Sequence, residues 1–190
     1  MRKIVYWVHT SLDGHICGPN GEFDWPTLGP ELIEYANAVH DRVDTFLYGR
    51  VVWEMMSGYW PTADENTTDA HDVHFAPIWR RTPKVVFSTT LERADWNTTV
   101  VAGDLATQVR ALKQQPGGDM LLNGGAGVAT KLADLGLLHE VQVFVHPVVL
   151  GGGKRLFPLA DRFDLKLVRT RSFDDRTVLL NYEPVRPAGE

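Results

Sequence analysis

The sequence predicts an α/β protein with a mixed, mostly parallel central sheet and antiparallel strands at its C-terminal end. Short β-branched and aromatic runs alternate with segments of helical spacing over the first two thirds of the chain. Glycines stand where several of the strand-like runs end, and the last third holds mostly strand-like runs. Alternation of this kind builds parallel strands joined by helical crossovers, and late strands without helices between them pair antiparallel.

Lys3–His9 is short, β-branched and aromatic, the pattern of a buried strand. Pro30 suits the first turn of a helix running to about Val43, with Leu32, Ile33, Ala36 and Val39 on one face. Thr45–Tyr48 is a strand stopped by Gly49, and Arg50–Met56 a short helix. Pro61–Pro83 shows no clear period and is expected to be a long loop with at most a helical turn. Lys84–Ser88 and Thr98–Val101 follow as strands. Leu105–Lys113 is a helix ended by Pro116-Gly117-Gly118. Met120–Leu122 is a strand running into Gly124-Gly125-Ala126-Gly127, with a helix over Val128–Leu135 closed by Gly136. Glu140–His146 alternates like a strand, and Gly151-Gly152-Gly153 breaks it off. Leu165–Arg171 and Val178–Glu183 are expected to pair antiparallel across Asp174-Asp175.

A length of 190 residues suits one domain, expected over residues 1–185, with Arg186–Glu190 as a loose tail. Lys+Arg is 19 and Asp+Glu 24, a net charge of -5, which argues against a binder that neutralises nucleic-acid phosphates. A single cysteine, Cys17, excludes an internal disulfide and a cysteine-based zinc site. The apolar run Ile4–Val8 is too short for a signal peptide or a membrane span, so a cytoplasmic protein without a membrane partner is expected.

Three strand ends carry residues suited to phosphate. Gly124–Gly127 joins a strand to a helix, where bare amides and the positive end of the helix dipole hold anions; a tight turn with close packing is the other reading. Its spacing is not the Rossmann fingerprint, because Thr130 stands at the third glycine position. Gly49-Arg50 repeats the strand-glycine-helix junction and adds a guanidinium, which is otherwise a plain surface group. Ser88-Thr89 ends a third strand in hydroxyls. Ligands of open α/β sheets bind beyond the carboxyl ends of the strands, so the three together describe one crevice for a nucleotide. His71 and His74, beside Asp72, invite a metal reading, but a loop preorganises ligands poorly and no metal is expected. His146 reads as a sheet residue.

Five pieces occur in order along the chain: Ser11-Leu12-Asp13-Gly14, Tyr48-Gly49-Arg50 with Trp53-Glu54, Phe87-Ser88, Asn123-Gly124-Gly125-Ala126, and His146-Pro147-Val148-Val149-Leu150-Gly151-Gly152-Gly153-Lys154. The set resembles the dihydrofolate reductase-like fold family, and within it the reductase domain of riboflavin biosynthesis, the RibD C-terminal domain branch. That resemblance implies an NADPH-dependent reductase acting on a small molecule, similar to 5-amino-6-(5-phosphoribosylamino)uracil reductase. It implies that Gly49, Arg50, Val51, Ser88 and Thr89 meet the cofactor, with the 2′-phosphate on Arg50, Ser88 and Thr89. Gly124, Gly125, Ala126 and Gly127 would take the pyrophosphate, with a cis peptide between Gly124 and Gly125. Asp13 would be the catalytic acid, or the holder of a substrate hydroxyl; locally Leu-Asp-Gly is also an ordinary turn. Ser11, Trp25, Glu31 and Lys154 would face the substrate, although Lys154 also reads as part of a solvated basic turn. Folate reduction and a non-catalytic nucleotide-binding module of the same fold are the alternatives. The acid that binds pterin in folate reductases corresponds only loosely to Glu31, and Thr82 stands where those enzymes carry an arginine. The chain has neither His-x-Glu nor Cys-x-x-Cys, which excludes the zinc deaminase half of the bifunctional enzyme. Edge strands at the C-terminal side are expected to be covered by a second copy, giving a homodimer.

Overall fold

In a computed structural model, which describes residues 1–65, 67–123, 125–158 and 162–185, the strand β1 (Ile4–Ser11) lies at the heart of an eight-stranded sheet. It is followed by β2 (His15–Cys17), α1 (Pro30–His40), β3 (Val43–Gly49) and α2 (Arg50–Tyr59). Then come α3 (Ala70–Arg81), β4 (Lys84–Phe87), β5 (Thr98–Val101), α4 (Leu105–Gln114), β6 (Asp119–Asn123) and α5 (Ala126–Asp134). The chain closes with β7 (Glu140–His146), β8 (Lys154–Arg155), β9 (Leu165–Phe173) and β10 (Thr177–Pro184).

The sheet order is β5-β4-β3-β6-β1-β7-β10-β9. Every pairing from β5 to β7 is parallel, while β10 runs antiparallel to β7 and β9 antiparallel to β10. The expected mixed sheet is therefore present, including the late hairpin across Asp174-Asp175, whose residues take positive φ of 54° and 48°. β1 is buried on both faces, which is why it reads as a continuous apolar run. Val5 and Trp7 enter one core with α1, α2 and α3, whereas Ile4, Tyr6 and Val8 enter a second core with α4 and α5.

Two expectations need correction. Residues 61–83 are not a loop, because they hold a 3-10 turn over Trp60–Thr62 and the twelve-residue helix α3. Phe75, Ile78 and Trp79 recur at helical spacing and are buried, and the Asp69 side chain caps the helix by accepting from the amides of His71 and Asp72. The internal Pro77 and the polar first turn mask that pattern in the sequence. Secondly, Lys154 and Arg155 are not a free turn: they pair with Cys17 and His15 in a small antiparallel ribbon. The proposed tail and the Gly124–Gly125 peptide involve residues outside those described.

Candidate functional site

β4, β3 and β6 are neighbours, all parallel, so their carboxyl ends lie side by side at one edge of the sheet. Register pairs Gly49 with Phe87 and Leu47 with Leu122, which brings the Gly49, Ser88 and Gly125 junctions together. The end of β6 is held from below, where Asn123 Nδ2 and Trp79 Nε1 both donate to the Tyr48 hydroxyl, at 3.2 and 3.1 Å.

α2 and α5 begin at this edge, and both begin on glycine. Gly49 caps α2 in extended geometry, while Gly125 caps α5 with φ of 76°, the left-handed region that favours glycine. The two caps nearly touch: a Cβ on Gly125 would lie 3.8 Å from the Gly49 nitrogen and 3.7 Å from Val52 Cγ2. A Cβ on Gly49 would stand 3.1 Å from Val128 Cγ2. Neither helix has a side-chain cap or an acidic residue in its first turn. The other helices differ: Asp69 caps α3, Asp104 caps α4, and Asp174 accepts from the Glu31 and Leu32 amides at the start of α1. The first-turn amides of α2 and α5 are therefore the ones left without a side-chain acceptor, in a place where two helix dipoles add. Such a pair of termini is suited to a diphosphate.

Around it, Arg50 is held by Glu54, with Nη1 at 2.8 and 2.9 Å from the two carboxylate oxygens, and Val51 is exposed. Ser88 Oγ accepts from the amides of Thr90 and Leu91 and lies 3.5 Å from Thr90 Oγ1. Thr89 is exposed beside it.

The carboxyl ends of β1 and β7 form the other half of the cleft. Ser11 is fully buried and its Oγ binds the His15 amide at 3.0 Å. Asp13 accepts from the amides of Leu150 (3.1 Å) and Gly151 (2.8 Å), with His15 Nδ1 3.3 Å away. The Ser11 hydroxyl and those amides hold its carboxyl well below the usual carboxylate range. Through those two amides the Asp13 carboxylate pins the glycine-rich loop. Glu31 is also taken, since its Oε2 accepts from the Asp174 amide at 2.7 Å while Asp174 caps the helix of Glu31. Lys154 is exposed in the ribbon.

Trp25 does reach the cleft, edge-on to His146 with ring centroids 5.6 Å apart. Beneath it lies a chain that the sequence reading missed. Trp7 Nε1 donates to His9 Nε2 (3.1 Å), His9 Nδ1 lies 2.8 Å from His146 Nε2, and His146 Nδ1 lies 3.3 Å from Thr177 Oγ1. An indole can only donate, so His9 must carry its proton on Nδ1 and His146 on its own Nδ1. Burial and the neighbouring His146 push His9 down to about 3, and burial with Arg176 pushes His146 down to about 4. Both rings are neutral, and they pack with buried Trp7 and Phe144 into an aromatic layer capped by half-buried Trp25. The alternation of Trp7 and His9 on one face of β1 was the available signal.

Among the described residues no group of His, Cys, Asp and Glu is placed to hold a metal, and His71 stacks on Phe75 at 5.6 Å. Among them, too, no helix is long and apolar enough to cross a membrane.

The family profile of the RibD C-terminal domain matches residues 2–179. The chain is 34% identical over 187 residues to the uncharacterized protein YyaP of Bacillus subtilis, covering 95% of this chain and 94% of that one. A putative riboflavin biosynthesis protein from Shewanella sp. PV-4 has a similar structure, with a TM-score of 0.73 at 22% identity over 98% of this chain and 100% of that one. Dihydrofolate reductase from Enterococcus faecalis, complexed with NADP(H), superposes with a TM-score of 0.63 at 13% identity over 96% of each chain. The architecture is that of the dihydrofolate reductase-like fold.

Proposed function

The chain belongs to the RibD C-terminal domain family, and from that premise we propose that it is an NADPH-dependent reductase of a small, pyrimidine- or pterin-like molecule, phosphorylated or not. The observation that carries this reading is the meeting of two uncapped, glycine-led helix starts, with the Gly125 position within 3.8 Å of the Gly49 nitrogen. Those amides fit a pyrophosphate, and the cradle is one that larger residues at 49 and 125 would obstruct. Arg50, Ser88 and Thr89, at the neighbouring strand ends, would take the 2′-phosphate once Arg50 leaves Glu54.

When bound, the reduced nicotinamide supplies the hydride. The protein's own contribution is position and dryness: Trp25, half-buried and edge-on to His146, presents a ring to a planar substrate, over a neutral layer in which Trp7 and Phe144 are buried. In riboflavin-type chemistry a ribosylamino group, opened to an imine or aldehyde, gains a hydride and a proton and becomes a ribityl chain. Folate reduction finds less support, because Glu31 is committed to Asp174 and Thr82 is buried with its hydroxyl on the Ile78 carbonyl at 2.7 Å.

The test is direct. NADPH should quench the tryptophan fluorescence in a saturable titration, and NADPH absorbance should fall when the aminouracil ribosyl phosphate is added but not with dihydrofolate. Absence of binding at millimolar NADPH would overturn the reading, and binding without consumption of either would favour a non-catalytic module. We also propose a homodimer that covers β9, an edge strand exposed over most of its length; light scattering at micromolar concentration should give twice the chain mass.

A further inference from the structure

At the opposite end of the sheet, the starts of β6 and β7 border a polar cleft of about 210 Å³. Arg42, just beyond α1, lines it with Asp119, Glu140, Gln142, Arg169 and Asn181. Four of its walls belong to one directed network. Arg169 Nη2 donates to the Tyr35 hydroxyl (3.1 Å), which donates to Gln142 Oε1 (3.3 Å). Gln142 Nε2 and Asn181 Nδ2 then both donate to Glu140 Oε1, at 2.6 and 2.9 Å. Gln142 is 3% and Asn181 5% exposed, so this is a built polar interior and not a chance surface cluster.

The network is incomplete at one atom. Asn181 Oδ1 is buried and has no hydrogen-bond partner. Buried polar atoms are ordinarily paired, so an orphan beside a cleft points to a donor that arrives from outside. Other groups on the cleft are also underused among the described residues. Glu140 takes both of its donors on Oε1, Asp119 uses Oδ1 for the Lys3 amide, and Arg42 commits Nε to the Ala38 carbonyl. The cleft thus offers two neighbouring acceptors, Asn181 Oδ1 and Glu140 Oε2, whose side chains meet through the Asn181–Glu140 hydrogen bond, together with two guanidinium groups.

We propose that this cleft binds a compact zwitterion of the α-amino-acid class. Its ammonium donates to Asn181 Oδ1 and Glu140 Oε2, and its carboxylate matches the guanidinium groups of Arg42 and Arg169. At about 30 Å³ per water the volume holds about seven waters, or a solute of similar heavy-atom count. Val39 and Val43 form an apolar wall suited to a short aliphatic side chain.

The experiment follows the Asn181 side-chain amide by NMR in the full, nitrogen-labelled chain, with L-alanine as probe and acetate and methylammonium as controls. The peak is identified by its loss in Asn181→Leu. L-alanine should move it saturably, the two controls should not, and Arg42→Gln, an exposed substitution, should weaken the effect by about tenfold, as expected for one charge-assisted hydrogen bond. No saturable movement at tens of millimolar L-alanine, an equal response to acetate alone, or an unchanged affinity in Arg42→Gln would each overturn the proposal. Arg42→Gln is read out in an intact core, so it decides even where Asn181→Leu does not fold. NADPH titration of the same variant should match the parent, which separates this site from the reductase reading.

Discussion

His9 Nδ1 lies 2.8 Å from His146 Nε2, although 137 positions separate the two residues. The contact is possible only because β1 and β7 run parallel in register, with Ser11 opposite His146 and His9 opposite Phe144. Since Trp7 occupies the far nitrogen of His9, the pair tolerates just one proton arrangement, and protonating His146 on Nε2 would set two donors face to face.

Stability should therefore fall in mild acid. His9 and His146 are depressed to about 3 and about 4, and burial likewise pushes His40 down to about 3. Above pH ~6.5 both folded and unfolded chains hold these rings neutral, and their contribution is fully present. As pH falls from there toward the folded values, the unfolded chain binds protons first, and stability is lost by at most about 1.4 kcal/mol per ring per pH unit. Urea unfolding midpoints should drop steadily from pH 7.5 to 4.5, and the slope should be shallower in His146→Gln. A flat profile in the parent protein would contradict the neutral pair.

Gly125→Ala should damage both stability and cofactor affinity. The space is adequate, with the nearest atoms at 3.7 and 3.8 Å, so the cost comes from a side chain at φ of 76°. That strain is about 1–2 kcal/mol, or roughly 2–8 °C in melting temperature for a chain of this size. Differential scanning calorimetry reads the first effect and NADPH titration the second.

Arg50 is held in reserve by Glu54. Arg50→Ala should weaken NADPH about 10- to 100-fold, the worth of a charge-assisted hydrogen bond to phosphate, while NADH, which lacks the 2′-phosphate, should change little. Glu54→Gln should not weaken NADPH, because it releases the guanidinium. Parallel fluorescence titrations with both nucleotides distinguish these outcomes.

Asp13 latches the loop around Gly151 through two amides. Asp13→Ala should speed hydrogen exchange at Leu150 and Gly151 far more than at amides within β1 or β7. Because its carboxyl is held well below the usual range, the latch contributes above the ordinary carboxylate range and is lost only as the pH falls through its depressed value. Exchange rates that rise uniformly across the sheet would show that Asp13 supports the whole fold and not this loop.

Much of the architecture was readable because it depends on local chemistry. The Lys3–His9 run, the Leu32/Ala36/Val39 stripe and the strand-glycine-helix junctions at Gly49 and Gly125 each announce themselves within about ten residues. α3 escaped notice because its buried Phe75, Ile78 and Trp79 are interrupted by Pro77 and followed at once by Arg80 and Arg81, and its Asp69 cap follows a polar stretch without period. The contacts of Asp13 and Glu31 were illegible for another reason. Each meets partners 137 to 143 positions away, the amides of Leu150, Gly151 and Asp174.

The chain's own spacing of apolar residues and glycines determined most of the strands and helices, and that α2 and α5 would start on glycine. Only the tertiary structure decided that two of those starts meet, that His9 finds His146, and that Asn181 is left with an unpaired oxygen. Backbone preference and side-chain periodicity act over a few residues, whereas strand order, which sets every one of those encounters, is fixed by how the two faces of the sheet are buried together.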